Sequence, residues 1–360
     1  MDFSQWGQPS EEWLAFAKAN PAILAGPPPG LSPAEQQTFI NDMRAKGAEA
    51  LLKSTGIGAA VNTEDYVVPT RDGQSITIRA YRPVAPSSQT LPVYVHYHGG
   101  GFLLGNLATE AFHCSWLAHS LSITVLHVCY RCAPQYTGLT AWHDALDGFD
   151  FVMANTETFR VDPTQVIVGG ISAGGSLTAT VVQAEVKRAR ETKTPIRIKG
   201  QILHIPNMVH HGAYPWNWFA DKSKTSPVQC ADAYGLSGER VHLFMALLGS
   251  DVDPSDPTWN PGMTGEEELV GTPQTALVVA GWDPLRDEGL AYAQKLKRAG
   301  VRTKVHIFPG LPHVFLGIFQ LPSQKRWSEV MLESQRWTRV DEGEWNVETK
   351  PPAIPQLSVD

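Results

Sequence analysis

Charge and long apolar runs are what this chain of 360 residues has little of. Only 18% of its residues are charged, and no uninterrupted apolar stretch approaches the length of a membrane span. Basic residues are in deficit, 29 Lys and Arg against 36 Asp and Glu, for a formal net charge of −7. That balance argues against nucleic acid or an anionic membrane as partner, because either would favour clustered Lys and Arg. Met1-Asp2-Phe3-Ser4-Gln5-Trp6 lacks the basic and apolar regions of a secretory signal, so a cytoplasmic location is expected. Internal repeats and low-complexity segments are absent, and Gly and Pro are dispersed apart from the run at 27–30. Cysteine is scarce as well: Cys114, Cys129, Cys132 and Cys230. Cys129-Tyr-Arg-Cys132 has C-x-x-C spacing, but no second pair completes a zinc site, the pair follows a strand, and Pro134 comes next. These thiols are read as small packing residues, with no metal expected.

What is present is a hydrophobic fraction of 42%, enough in a chain of this length to bury one large core. Residues 1–60 read as helices: Ser10-Glu11-Glu12 opens a short one ended by Pro21. Ser32-Pro33-Ala34-Glu35 combines an N-cap Ser, Pro at the first helical position and Glu at the third, and starts a helix that should stop at Gly56. Residues 66–69 and 75–81 flank Arg71-Asp72-Gly73 and predict a hairpin. From Leu91 onward, apolar strands at 93–97, 124–129, 165–169, 200–205, 276–280 and 304–308 alternate with helical stretches near 110–120, 142–154, 174–190, 289–299 and 323–339. This alternation implies an α/β domain with a mostly parallel sheet covered on both faces. The rhythm breaks between 206 and 250, where Tyr214, Trp216, Trp218 and Phe219 precede a helix near 240–248. An insertion after a strand's C-terminal end sits where open α/β sheets bind ligands, and it is read as part of a cap. The expected organisation is therefore 1–60 as helices contributing to the cap, 61–205 and 251–340 as the two parts of the core, 206–250 as the cap insertion, and 341–360 as a tail without regular structure.

Gly170-Ile171-Ser172-Ala173-Gly174-Gly175 lies between an apolar strand and a helix start, the strand–turn–helix context of a nucleophile elbow. Small neighbours let strand and helix approach so that the Ser172 hydroxyl projects outward, and the helix N-terminus favours developing negative charge. His98-Gly99-Gly100-Gly101-Phe102 follows another strand. Its glycines allow main-chain N–H groups to reach a reacting carbonyl, so Gly100 and Gly101, with Ala173, are candidate oxyanion donors, while His98 and Gly99 support the loop.

A serine hydroxyl needs a histidine to take its proton and an acid to orient that histidine. Of twelve histidines, His313 follows the last expected strand, as a Ser…Asp…His order requires; His96, His127, His204 and His306 fall on strands and read as structural. Asp283 comes first after the strand at 276–280, whereas Asp287 is expected to cap the next helix. Candidate substrate contacts are Phe102, His210, His211, Tyr214, Trp216, Trp218 and Phe219.

On these segments the sequence resembles the hormone-sensitive-lipase-like branch of the α/β-hydrolase superfamily. The resemblance runs from about Tyr66 to Phe319, through His98–Phe102, Tyr130-Arg-Cys-Ala-Pro134, Gly170–Gly175, Asp283-Pro-Leu-Arg-Asp-Glu-Gly289 and Gly310-Leu-Pro-His313. It implies an α/β-hydrolase fold with a mostly parallel sheet and a helical cap. It also implies Ser172, Asp283 and His313 as a triad, Gly100, Gly101 and Ala173 as the oxyanion hole, and no cofactor. Four residues depart from the family pattern: Ile171 and Cys129 stand where Asp is usual, Gln135 where Glu is usual, and Val314 where Gly is common. Polar braces around the elbow are thereby lost; either hydrophobic packing replaces them or the site serves an atypical substrate. The expected activity is hydrolysis of a small apolar or aromatic ester or lactone, by likeness to enzymes of polyketide-type specialised metabolism. Cyclising or acyl-transferring chemistry on the same triad is the alternative. A non-catalytic receptor like the gibberellin receptors of this family is disfavoured, because those lack the histidine. The oligomeric state stays open between monomer and homodimer.

Overall fold

The computed structural model describes residues 1–22, 24–84, 89–249 and 252–340. The tail expected at 341–360 lies outside the described residues. Eight strands form one sheet: β1 (Val61–Pro69), β2 (Ser75–Pro83), β3 (Leu91–Tyr97), β4 (Thr124–Cys129), β5 (Val161–Ile171), β6 (Gly200–His204), β7 (Gln274–Trp282) and β8 (Thr303–Pro312). Their order is β1-β2-β4-β3-β5-β6-β7-β8. β1 and β2 make the expected hairpin, β2 meets β4 antiparallel, and every pairing from β4 to β8 is parallel.

Among the described residues the α-helices are α1 (Glu11–Ala19), α2 (Pro33–Thr55), α3 (Ala111–Leu121), α4 (Thr140–Ala154), α5 (Ala173–Thr192), α6 (Ser226–Gln229), α7 (Gly238–Ala246), α8 (Glu266–Leu269), α9 (Arg286–Arg298) and α10 (Pro322–Trp337). Local chemistry sets several ends. Ser32 and Glu35 close the capping box that opens α2, Gly56 ends it in the left-handed region, Ser10 caps α1 and Ser237 caps α7.

Strand alternation divides the interior. Val93, Val95 and Tyr97 join α4 and α5 in one apolar cluster, while Tyr94, Ile167 and Ile171 face α3 and α10 in a second. A third cluster packs α9 on β6 and β7 and takes in Tyr214 and Phe219.

The structure differs from the sequence reading where breakers occur inside strands. β7 runs on through Gly281 to Trp282 and β8 through Pro309 and Gly310 to Pro312, with Trp282 paired to Pro312 after a register shift. Glycine is required at 281, because a Cβ there would stand 2.2 Å from the Trp6 carbonyl. The extension carries Asp283 and His313 side by side at the C-terminal end of the sheet.

The N-terminal helices reach the same end. Gln37 of α2 donates to the carbonyls of Leu103 (2.7 Å) and Ala133 (2.9 Å), and Asn41 accepts from Gly105 N–H at 2.8 Å. Glu12 of α1 accepts from Ser323 N–H and hydroxyl at 2.8 and 2.6 Å. No helix among the described residues is long and apolar enough to cross a membrane.

Candidate active site

Ser172 sits between β5 and α5 with φ 55° and ψ −115°, a conformation that costs a non-glycine residue energy and is held by its neighbours. Its N–H donates to the His204 carbonyl at 2.8 Å, and its own carbonyl accepts from Gly175 at 2.8 Å and Asn207 at 3.1 Å. The turn leaves no room for side chains beside it. A Cβ at Gly174 would lie 2.1 Å from the Tyr97 carbonyl, and one at Gly170 would lie 2.2 Å from the Gly174 carbonyl.

The Ser172 hydroxyl is 2.9 Å from His313 Nε2, and His313 Nδ1 is 2.7 Å from Asp283 Oδ2. A carboxylate only accepts, so the proton of the neutral ring belongs on Nδ1, leaving Nε2 free to accept from the serine. Asp283 is held in turn by Leu285 N–H, which donates to Oδ1 at 2.9 Å. All three residues are buried, Asp283 most deeply.

Across from the elbow, Gly100 (φ +140°) and Gly101 (φ +62°) turn the chain tightly after β3, and the Gly100 carbonyl accepts from Leu103 and Leu104 at 3.1 and 2.9 Å. The N–H groups of Gly100, Gly101 and Ala173 donate to no acceptor among the described residues. Such free donors at a loop and a helix start are what a developing oxyanion requires. His98 is fully buried, stacked on Tyr130 at 4.1 Å, with Nδ1 3.2 Å from the Gly99 carbonyl, while Tyr130 hydroxyl donates to the His98 carbonyl at 2.7 Å. Burial pushes the His98 imidazole down to about 4.

The residues that depart from the family pattern are packed or bonded otherwise. Ile171 lies in the second cluster, its Cγ2 3.2 Å from where a Gly99 Cβ would stand. Val314 covers Gly235, and Gln135 donates to Gln37 Oε1 at 2.9 Å. The lost acids are thus met by apolar contact and an amide–amide bond. All four cysteines are free thiols, and burial raises Cys129 to about 11. No cluster of metal-ligating side chains occurs among the described residues.

Several expected substrate contacts are placed elsewhere. Phe102 is turned into the core, its ring 4.4 Å from Trp142. Tyr214, Trp216, Trp218 and Phe219 belong to the third cluster, with Met1, Phe3 and Trp6. Trp218 lies under Lys295 Nζ at 4.3 Å, about 13 Å along α9 from its start beside Asp283. These aromatics fill an outer layer because the insertion folds back over α9. His210 accepts from Gly212 N–H at 3.0 Å and packs on Trp259, and the His211 ring lies 3.8 Å from that of His242. Asp287 does not cap α9: it accepts from Ser226 N–H at 2.7 Å and pairs with buried Arg286 at 2.7 Å.

Other residues do surround the elbow. Phe244 of α7 rests on Gly101, where a Cβ would fall 2.1 Å from its ring. Trp13 contacts Tyr234 at 5.3 Å and Trp282 at 6.1 Å. Glu288 Oε1 accepts from Met208 N–H (2.7 Å), Val209 N–H (3.2 Å) and the Asn207 amide (3.0 Å), bracing the segment whose Asn207 N–H holds the Ser172 carbonyl. Burial nevertheless pushes Glu288 up to about 8. Glu288 stands inside the 283–289 block; α7 offered only a helical period as its signal.

The chain is similar to known proteins over most of its length. A family profile described as the α/β-hydrolase fold matches residues 94–317. The chain is 34% identical over 264 residues to the carboxylic ester hydrolase LipN of Mycobacterium tuberculosis, covering 72% of this chain and 66% of that protein. It is 30% identical over 278 residues to the versiconal hemiacetal acetate esterase of Dothistroma septosporum, covering 76% and 81%. Among solved structures, a vibralactone cyclase superposes with a TM-score of 0.82 at 26% identity, over 93% of this chain and 96% of that one.

Proposed function

The chain belongs to the α/β-hydrolase family, in its hormone-sensitive-lipase-like branch of esterases, and from that premise we propose that it cleaves carboxylic esters or lactones of small apolar or aromatic molecules through a covalent acyl-serine on Ser172. The observation that carries this reading is the hydrogen-bonded chain Ser172–His313–Asp283, at 2.9 and 2.7 Å, at the head of α5.

In the proposed sequence, His313 Nε2 accepts the Ser172 proton as Oγ attacks the carbonyl carbon. Asp283 holds the ring and stabilises the imidazolium. The carbonyl oxygen, now negative, takes the free N–H groups of Gly100, Gly101 and Ala173. Collapse expels the alcohol, protonated by His313, and water activated by the same nitrogen then releases the acid. The elements over this end, α1, α2 and α7, are proposed to form the cap, with Trp13, Tyr234, Trp282 and Phe244 offering apolar and aromatic contact. That set replaces the aromatics at 214–219 as the basis for an aromatic substrate, and likeness to an acetate esterase supports a small ester.

Comparing the wild type with Ser172→Ala on short p-nitrophenyl esters and a panel of aromatic lactones tests the reading. A loss of about three orders of magnitude or more is expected. Equal activity in both proteins sinks the nucleophile assignment.

The likeness to a cyclase favours one second reading, in which an internal nucleophile on the acyl group replaces water. Solvent ¹⁸O separates the two: label in an acid product marks hydrolysis, and an unlabelled cyclic product marks transfer.

A further inference from the structure

Arg240 stands one turn before Phe244 on α7, its guanidinium 5.5 Å from the centre of that ring. Phe244 rests on Gly101 of the proposed oxyanion loop. On its other side Arg240 is near enough to Tyr234 for their charges to interact. Tyr234 leads into Gly235, which Val314 covers, and Val314 adjoins His313. Arg240 is therefore near both a ring seated on Gly101 of the proposed oxyanion loop and the segment that adjoins the proposed base.

Among the described residues its charge has no acidic partner. Several other arginines drawn in from the surface are matched by acids: Arg131 with Asp144 and Asp72, Arg197 with Glu185 and Asp150, Arg44 with Glu110, Arg286 with Asp287; Arg339 bonds only the uncharged oxygens of Gln335 among the described residues. Arg82 donates to main-chain carbonyls. Arg240 is also partly buried, yet its guanidinium makes no hydrogen bond among the described residues; its main-chain N–H donates to the Ser237 hydroxyl at 3.2 Å. A cation withdrawn from water without a counter-charge is costly. Phe244 flanks the guanidinium at 5.5 Å, and its N–H groups, which bond no acceptor among the described residues, can take a carboxylate through two bonds.

We propose that Arg240 is the anchor for a carboxylate carried by the ester or lactone cleaved at Ser172, so that the preferred substrate is a small apolar or aromatic ester bearing one negative charge. The proposal rests on the acyl-serine reading for its substrate, and its test separates the two.

Two substrate pairs are measured in the wild type and in Arg240→Gln: 4-nitrophenyl hydrogen glutarate against 4-nitrophenyl butyrate, and 4-acetoxybenzoate against its methyl ester. In at least one pair, Arg240→Gln lowers kcat/KM for the charged member at least tenfold more than for the neutral one, and Arg240→Lys restores part of the difference. Equal losses on both members of each pair overturn the proposal while leaving the acyl-serine reading intact. A second arm needs no turnover: calorimetry of 4-hydroxybenzoate and neutral 4-hydroxybenzamide with both proteins. At least tenfold weaker binding of the carboxylate alone in Arg240→Gln is expected. Indifference of the wild type to the carboxylate, or equal affinity in both proteins, overturns the proposal even should Ser172→Ala prove fully active.

Discussion

His313 and His127 are both buried imidazoles, yet their surroundings differ in kind. His313 meets a carboxylate at one ring nitrogen and a hydroxyl at the other. His127, on β4, has no hydrogen-bond partner at either nitrogen among the described residues and lies among the rings of His96 and His98 at 5.5 and 5.3 Å. Burial drives His127 well below its usual range. His113 and His204, in the same layer between the sheet and Trp327, are pushed to about 3. Burial disfavours the charged ring in the histidine layer; His313 differs in meeting a carboxylate at one nitrogen and a hydroxyl at the other, the arrangement the proposed base needs.

The largest expected effect separates these two regions by activity. His313→Asn lowers kcat/KM by about 10³-fold or more, with folding unchanged by thermal melting. A melting point that drops along with the activity would show that His313 is chiefly structural.

Acid gives the next effect, from the other region. His98, His113 and His204 have folded values near 4, 3 and 3, below the usual 6.5, because burial disfavours charge. Above the unfolded value both states are neutral and these groups contribute no pH dependence. As pH falls below 6.5 the unfolded chain binds protons that the folded chain refuses, so stability declines, by about 2 kcal/mol per histidine between pH 7 and 5. Glu110, whose carboxylate faces His96 and Arg44, is held well below its ordinary value and titrates below this window. Denaturant midpoints across that range check the slope; a flat profile would mean that these rings take protons in the folded state.

A smaller effect comes from replacing His127 with Leu. Removing two partnerless polar atoms leaves stability equal or raises it by about 1 kcal/mol, and ester cleavage stays within about twofold. A large loss of activity would tie the buried layer to the site and erase the contrast.

Much of this was legible in the sequence, and the reasons lie in particular residues. Ser172 announces itself because the turn excludes side chains at Gly170 and Gly174, so composition and geometry coincide. Asp283 and His313 follow from chain order. The contacts over the site were not legible: Gln37 bonds the Leu103 carbonyl from 66 residues away, and Phe244 reaches Gly101, and Arg240 reaches Phe244, through tertiary contact, which leaves no local pattern. The cluster at 214–219 misled because aromatic residues in an insertion fit a pocket wall and an outer packing layer equally well. Strand lengths were understated because Gly281, Pro309 and Gly310 read as breakers, although parallel pairing continues past them.

The smallest effect concerns Glu288, a buried acid that is partnered but, unlike His313, touches no reacting group. Its folded value near 8 keeps it protonated at neutral pH, whereas in the unfolded chain it ionises near 4.5, so stability falls as pH rises between those values. Glu288→Gln keeps an acceptor oxygen and removes the ionisation. The gain in melting temperature of the variant over the wild type should be larger at pH 8 than at pH 5. A lower melting point at pH 8 would mean that the ionised carboxylate holds the 207–209 segment.

The central claim is that Ser172 is the atom made nucleophilic. It is tested most directly by treating the protein with one equivalent of a p-nitrophenyl alkylphosphonate, reading the intact mass and mapping the modified peptide. The account predicts a single adduct on Ser172, loss of ester cleavage in proportion to labelling, and no adduct on Ser172→Ala or His313→Asn. Full activity in the labelled protein, or an adduct on any other residue with the same loss, would contradict it.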